Sequence, residues 1–183
     1  KIFGNSEFIF FLSIFFIILS VSWFINAFNF MDGINGITSI QVIFICCSVL
    51  IFFFLIEKKI NILAFTILLS AIIFIYFNWS PASIFLGDSG SIPLGFLILV
   101  LLTDLTKSGY WIAAFILPLY YLMDTSVTLL KRIYQKKSFW KAHNEHFYQK
   151  ALKYGFSHNR VCYRIIIIKI ELFFLSFLSV IYK

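Results

Sequence analysis

The sequence predicts an all-α protein, a polytopic bundle of about six transmembrane helices. Three observations predict it. Hydrophobic residues make up 61% of the 183-residue chain and charged residues only 13%, against about a quarter charged in an ordinary soluble domain. Nearly uncharged stretches long enough to cross a bilayer recur along the chain. The basic residues crowd into one place: nine of the fifteen lie between Lys131 and Arg164. A soluble core of this size could not hide so much apolar surface, so the chain is read as one membrane domain.

The expected spans, in order, are 8–28, 37–56, 60–77, 92–105, 110–130 and 162–182. Most approach the roughly 20 residues that a helix needs to cross hydrocarbon. The fourth is short and carries Pro93 and Gly95, so taken alone it could be re-entrant. Between the fifth and sixth lies the basic loop, 131–161. The positive-inside rule puts that loop in the cytoplasm. Counting back through six crossings puts the loops at 29–36 and 78–91 on the same side, with Lys58, Lys59 and Lys107 outside. Cys46, Cys47 and Cys162 read as small membrane-embedded hydrophobes rather than a disulfide framework or a zinc site. The chain starts at Lys1, with a span close behind and no basic leader before a cleavage site. It is therefore read as carrying no signal peptide, and as part of a longer protein or one whose amino-terminal part was removed.

Only eight acidic residues are present, so each one in an apolar setting is informative. Asp32 follows the first span within Asn26-Ala-Phe-Asn-Phe-Met-Asp-Gly-Ile-Asn-Gly-Ile37. Asp88 sits in Phe85-Leu-Gly-Asp-Ser-Gly-Ser91, read as the loop before the fourth span. An ionised carboxylate near hydrocarbon costs about 2.5–3.5 kcal/mol on insertion scales, and such groups usually face a cavity, a cation or a substrate. Gly33, Gly36, Gly87 and Gly90 allow loop amides to turn toward a phosphate beside a carboxylate-bound metal. Mg2+ favours one or two carboxylates completed by phosphate oxygens and water. Either loop alone is better explained as an ordinary helix-capping turn. Two such loops on one membrane face favour a site.

The third constellation is Lys141-Ala-His-Asn-Glu-His-Phe-Tyr-Gln149 in the basic loop. His143 and His146 are three apart and would share one face of a helix. Beside Lys141 they suit diphosphate binding, since they offer charge and hydrogen bonding together. An amphipathic interfacial segment with its histidines facing water explains the same residues equally well. Asp124, within the fifth span, is read as a structural partner of Arg132 or of a neighbouring helix. Asp104, Lys169 and Glu171 are given no chemistry.

Taken in this order, the three motifs resemble the family of polyprenyl-phosphate N-acetylhexosamine-1-phosphate transferases, which includes phospho-N-acetylmuramoyl-pentapeptide transferase. Asn26–Ile37 is similar to that family's Asn-x-x-Asn-x-x-Asp-Gly-x-(Asp/Asn)-Gly signature, and 85–91 to its Gly-Asp-(Ser/Thr)-Gly-Ser signature. Asp124–Arg132 with Ala142–Gln149 resembles the branch that acts on UDP-N-acetylhexosamines. The resemblance implies Mg2+-dependent transfer of N-acetylhexosamine 1-phosphate from a UDP-sugar to polyprenyl (undecaprenyl) phosphate, releasing UMP and initiating a cell-surface glycan such as O-antigen. It implies Asp88 as the metal ligand, and Asp32, Asp88, His143 and His146 as catalytic residues. Asn26, Asn29, Asn35, Gly87, Ser89 and Lys141 would bind substrate.

The implied setting is the bacterial inner membrane, with the active-site loops cytoplasmic. The implied partners are UDP-N-acetylhexosamine, polyprenyl phosphate and membrane lipid; no nucleic-acid partner is expected. Asn35 stands where some family members have Asp, and it cannot serve as a base. The family also carries a paired-Asp motif on an earlier helix, within a bundle of about ten spans. No Asp precedes Asp32, so the chain is read as the carboxyl-terminal part of such a fold, completed by an upstream half or a second copy. An inactive or split product stays open as the alternative. A transporter is the third reading, although transporter acids belong near the bilayer midplane rather than at loop ends.

Overall fold

The computed structural model describes residues 5–138 and 143–182, with side chains from residue 7 onward. Every regular element among the described residues is helical. They are α1 (Asn5–Met31), α2 (Ile37–Glu57), α3 (Ile62–Asn78), α4 (Gly87–Lys107), α5 (Trp111–Ile116), α6 (Leu119–Tyr134), α7 (Phe147–Lys153) and α8 (His158–Ile181). The fold is the expected all-α membrane bundle. Glu7–Met31, Ile37–Glu57 and Gly87–Lys107 are long and apolar enough to cross a membrane, and Ile62–Asn78 is a shorter apolar helix.

α2 is the central helix, its residues Ile37, Ile45, Val49 and Phe52 fully buried. α2 and α3 form an antiparallel pair. The turn between them begins at Lys58, which ends α2 in the left-handed region (φ 56°), and finishes at Asn61, whose side chain accepts the Ala64 N–H at 2.9 Å. α8 closes the other flank of α2, where the Phe52 ring stacks on Phe173 at 5.9 Å. α1 lies along α4. Gly95 makes that approach close: a Cβ there would stand 3.0 Å from Phe28 Cβ and 3.3 Å from the Ile25 backbone. Phe8 to Leu19, the amino-terminal half of α1, is largely exposed, and Phe16 and Ile17 line a cavity with Leu99, Phe115 and Leu122.

The sequence placed two boundaries wrongly. The fourth apolar segment is not short: α4 starts at Gly87 and runs 21 residues, so Asp88 and Ser89 form its first turn instead of a preceding loop. Pro93 lies inside it, in the second turn, where its ring removes the hydrogen bond to the Ser89 carbonyl and crowds that carbonyl. The fifth segment is two helices, not one. Pro118, which has no N–H to donate, separates α5 from α6.

Because the helices alternate in direction, the ends of α1, α3 and α6 and the starts of α2, α4 and α8 meet at one end of the bundle. Direct contacts confirm it: Gly36 N–H donates to Asn78 Oδ1 at 2.8 Å, Ser91 O–H to Asn29 Oδ1 at 2.7 Å, and Tyr148 O–H to the Phe30 carbonyl at 2.9 Å. Gly36 begins α2 at φ 83°, a conformation that side-chain-bearing residues rarely adopt.

Candidate active site

At this end, Asp32 lies just past the last turn of α1 and is half-buried. It accepts the Thr38 hydroxyl at 2.7 Å, and Thr38 in turn accepts the hydroxyl of the fully buried Tyr121 at 3.4 Å. The Gly87 amide, at the start of α4, also donates to the Asp32 carboxylate. Burial pushes the Asp32 carboxyl up to about 6; the Thr38 hydroxyl works against that rise, and the negative charge of Asp88 adds to it. The two aspartates are therefore electrostatic neighbours, brought together by the α4 amino terminus. Asp88 and Ser89 are exposed in that first turn, with helix amides behind them that favour an anion.

Asn29 is tied into the same cluster through buried Ser91. Asn35 is held from α8: its N–H donates to His158 Nδ1 at 3.4 Å, and its carbonyl accepts Cys162 Sγ–H at 3.2 Å. Asn26 is a turn earlier on α1, exposed, and its amide bonds back to the Ser22 carbonyl of its own helix. The structure joins it to nothing else in the cluster among the described residues. Lys141, named from the sequence, lies outside the described residues.

The histidines arrive from the basic loop. His143 and His146 stack at 5.0 Å, and the His146 ring also stacks on Tyr148 at 5.9 Å and Phe30 at 6.3 Å. Burial lowers the His143 pKa, with the nearby Arg132 charge adding to the effect. Gly33 allows this docking, since Tyr148 O–H lies where a Cβ on residue 33 would be. The loop is pinned by Arg132, which donates to Glu145 at 2.7 Å and to the Ser138 carbonyl at 2.6 Å. Lys137 pairs with the same carboxylate at 3.1 Å and holds its pKa below the usual range.

Here the sequence reading of Asp124 needs correction. Its partner is not Arg132, which is taken by Glu145; it is His146, whose Nδ1 lies 3.0 Å from Asp124 Oδ1. An Asp in an apolar helix signals the need for a partner, but the partner lies beyond a loop whose path the sequence does not state.

No group of three or more His, Cys, Asp and Glu side chains converges among the described residues. A cation at the two aspartates would draw at most two carboxylates from them and take its other ligands from phosphate and water. That donor set fits Mg2+ and does not fit structural zinc.

Comparison with known proteins matches residues 1–106 to the model for glycosyl transferase family 4. The chain belongs to that family. Among its relatives, a probable undecaprenyl-phosphate N-acetylglucosaminyl 1-phosphate transferase of Bacillus subtilis is 30% identical over 150 residues, covering 76% of this chain and 41% of the relative. A phospho-N-acetylmuramoyl-pentapeptide-transferase of Streptococcus uberis is 31% identical, over 74% of this chain and 40% of its own length. The corresponding transferase of Streptococcus gordonii is 33% identical, over 69% and 38%. The chain thus spans about two fifths of the length of these relatives.

Proposed function

We propose that this chain forms the carboxyl-terminal part of a transferase that moves N-acetylhexosamine 1-phosphate from a UDP-N-acetylhexosamine to polyprenyl phosphate. A phosphate oxygen of the lipid attacks the sugar-bound phosphorus, the bond to the other phosphate breaks, and UMP leaves. The product would begin a cell-surface glycan. The observation that carries this reading is the convergence of Asp32, the Asp88-bearing first turn of α4 and the stacked His143–His146 pair at one end of a membrane bundle.

Each part has a physical task. Asp88, with Asp32 behind it, would hold Mg2+, which when bound neutralises charge on the diphosphate and the departing UMP. Thr38 and the Gly87 amide fix the Asp32 carboxylate, so it is oriented before the ligand arrives. Asn29, Asn35 and Ser89 offer polar groups to the nucleotide side, and Asn26 extends that row along α1. His143, His146 and Lys141 meet phosphate oxygens from the basic loop. In phosphoryl transfer, positioning and charge supply most of the catalysis. Six crossings with this end facing the cytoplasm of a bacterial inner membrane would place the site where UDP-sugars are found.

The test is Mg2+-dependent exchange of labelled UMP into UDP-N-acetylhexosamine, using membranes that contain this chain and added polyprenyl phosphate. Exchange that disappears in Asp88→Asn is the expected result. Inserted protein with no exchange overturns self-sufficiency. The two-fifths coverage of the relatives favours a second reading, in which an upstream segment or a second copy must complete the centre; co-expression with such a segment would then restore turnover.

A further inference from the structure

The proposed function leaves one buried acid without a task. Asp124 is 3% exposed, and its carboxylate is met by a backbone amide, a hydroxyl and an imidazole, each able to donate to it. Phe147 N–H reaches both of its oxygens at 3.1 Å, Thr128 O–H reaches Oδ1 at 3.2 Å, and His146 Nδ1 stands 3.0 Å from Oδ1. The Phe147 amide donates to both carboxylate oxygens, which marks them as acceptors, and an imidazole that serves the same acceptor presents Nδ1–H to it. That tautomer leaves Nε2 as the nitrogen to act on a ligand. The ring cannot easily turn, because His143, Tyr148 and Phe30 stack against it. The Phe147 amide belongs to the first residue of α7, so the same carboxylate also seats that helix.

We propose that Asp124 is a positioning residue: it holds His146 with its proton on Nδ1 and so presents Nε2 to the phosphate groups of the sugar nucleotide. The inference rests on the proposed function for the identity of the ligand, and on the hydrogen bonds alone for the tautomer. A carboxylate behind an imidazole sets both ring orientation and basicity, and losing such a partner typically costs about 10–100-fold in function.

Asp124→Asn separates this role from a purely structural one. Its side-chain carbonyl can still accept the Phe147 N–H, so α7 keeps its seat. Its NH2 now faces Nδ1, which must become an acceptor, moving the proton to Nε2. Nitrogen-15 NMR of histidine-labelled full chain in detergent reads the tautomer directly. The expected wild-type signal is Nδ1–H, and addition of UDP-N-acetylglucosamine should shift Nε2. In Asp124→Asn the tautomer should invert, the nucleotide-induced shift should vanish, and amide signals of α7 should stay in place. In the UMP exchange assay kcat should fall about 10–100-fold with little change in KM.

A wild-type His146 carrying its proton on Nε2 overturns the proposal whatever the activity. So does an inverted tautomer with unchanged kcat, or a wild-type Nε2 that ignores the sugar nucleotide. If Asp124→Asn does not fold, the wild-type tautomer and its response to nucleotide still decide. If the wild type shows no exchange, the transferase reading fails by itself, and the two NMR readouts still judge the positioning role.

Discussion

Gly33→Ala tests how the basic loop is docked. A Cβ at residue 33 would occupy the place of Tyr148 O–H and lie 3.0 and 3.1 Å from the ring carbons Cζ and Cε2. Tyr148 is 1% exposed and cannot swing into water. Displacing it gives up the hydrogen bond to the Phe30 carbonyl, about 1 kcal/mol, and reseats a packed ring for about 1–3 kcal/mol. The sum, about 2–4 kcal/mol, is a roughly 30- to 1,000-fold loss in the docked loop. Hydrogen–deuterium exchange at the α7 amides reads that population. Tyr148→Phe alone should cost only the hydroxyl's hydrogen bonding, to the Phe30 carbonyl and from the Gly33 amide, about 1–2 kcal/mol. The double variant should cost less than the sum of the two singles, because the hydroxyl is gone, although the ring carbons still crowd the methyl. Unchanged α7 exchange in Gly33→Ala, or strict additivity of the two changes, would refute the reasoning.

Two further predictions concern charge. The Asp32 carboxyl is raised from 3.8 to about 6, so between those values the folded chain holds a proton that the unfolded chain releases. The resulting stabilisation is complete below 3.8 and is lost as pH rises through about 6; thermal unfolding in detergent should show that slope, and Asp32→Asn should flatten it. Lys169 is 2% exposed, its Nζ has no hydrogen-bond partner, and it lies over the rings of Tyr120 and Tyr121 at 5.3 and 5.4 Å. Lys169→Met keeps the length and removes a buried charge, so unfolding temperature should hold or rise; a fall of several degrees would show that the cation–ring contacts outweigh desolvation.

The bundle was largely legible because uninterrupted apolar runs leave little choice of structure. The spans expected at 37–56 and 60–77 match α2 and α3 within two residues at each end. What misled the reading were local signals with two meanings. Gly87 and Gly90 suggested a loop, yet Asp and Ser are also at home in the first turn of a helix, which is where Asp88 and Ser89 lie. Pro118 was visible in the fifth segment, and its missing N–H was the signal for the break there. In the candidate site, Asp32 and Asp88 could be picked from their setting. The Thr38–Tyr121 support beneath Asp32, the Asp124–His146 pair and the Arg132–Glu145 bridge could not, because each depends on how helices far apart in sequence pack together.

The interruption at Leu117–Pro118 has a mechanical consequence. α5 sits between α4 and α8, whereas α6 runs beside α1 and carries Asp124 and Arg132, the two residues that grip the histidine loop. The halves of this one crossing therefore answer to different neighbours, with the Pro118 break between them. The histidine loop is thus gripped by the half-crossing that packs on α1, while the other half serves the α4–α8 side of the bundle.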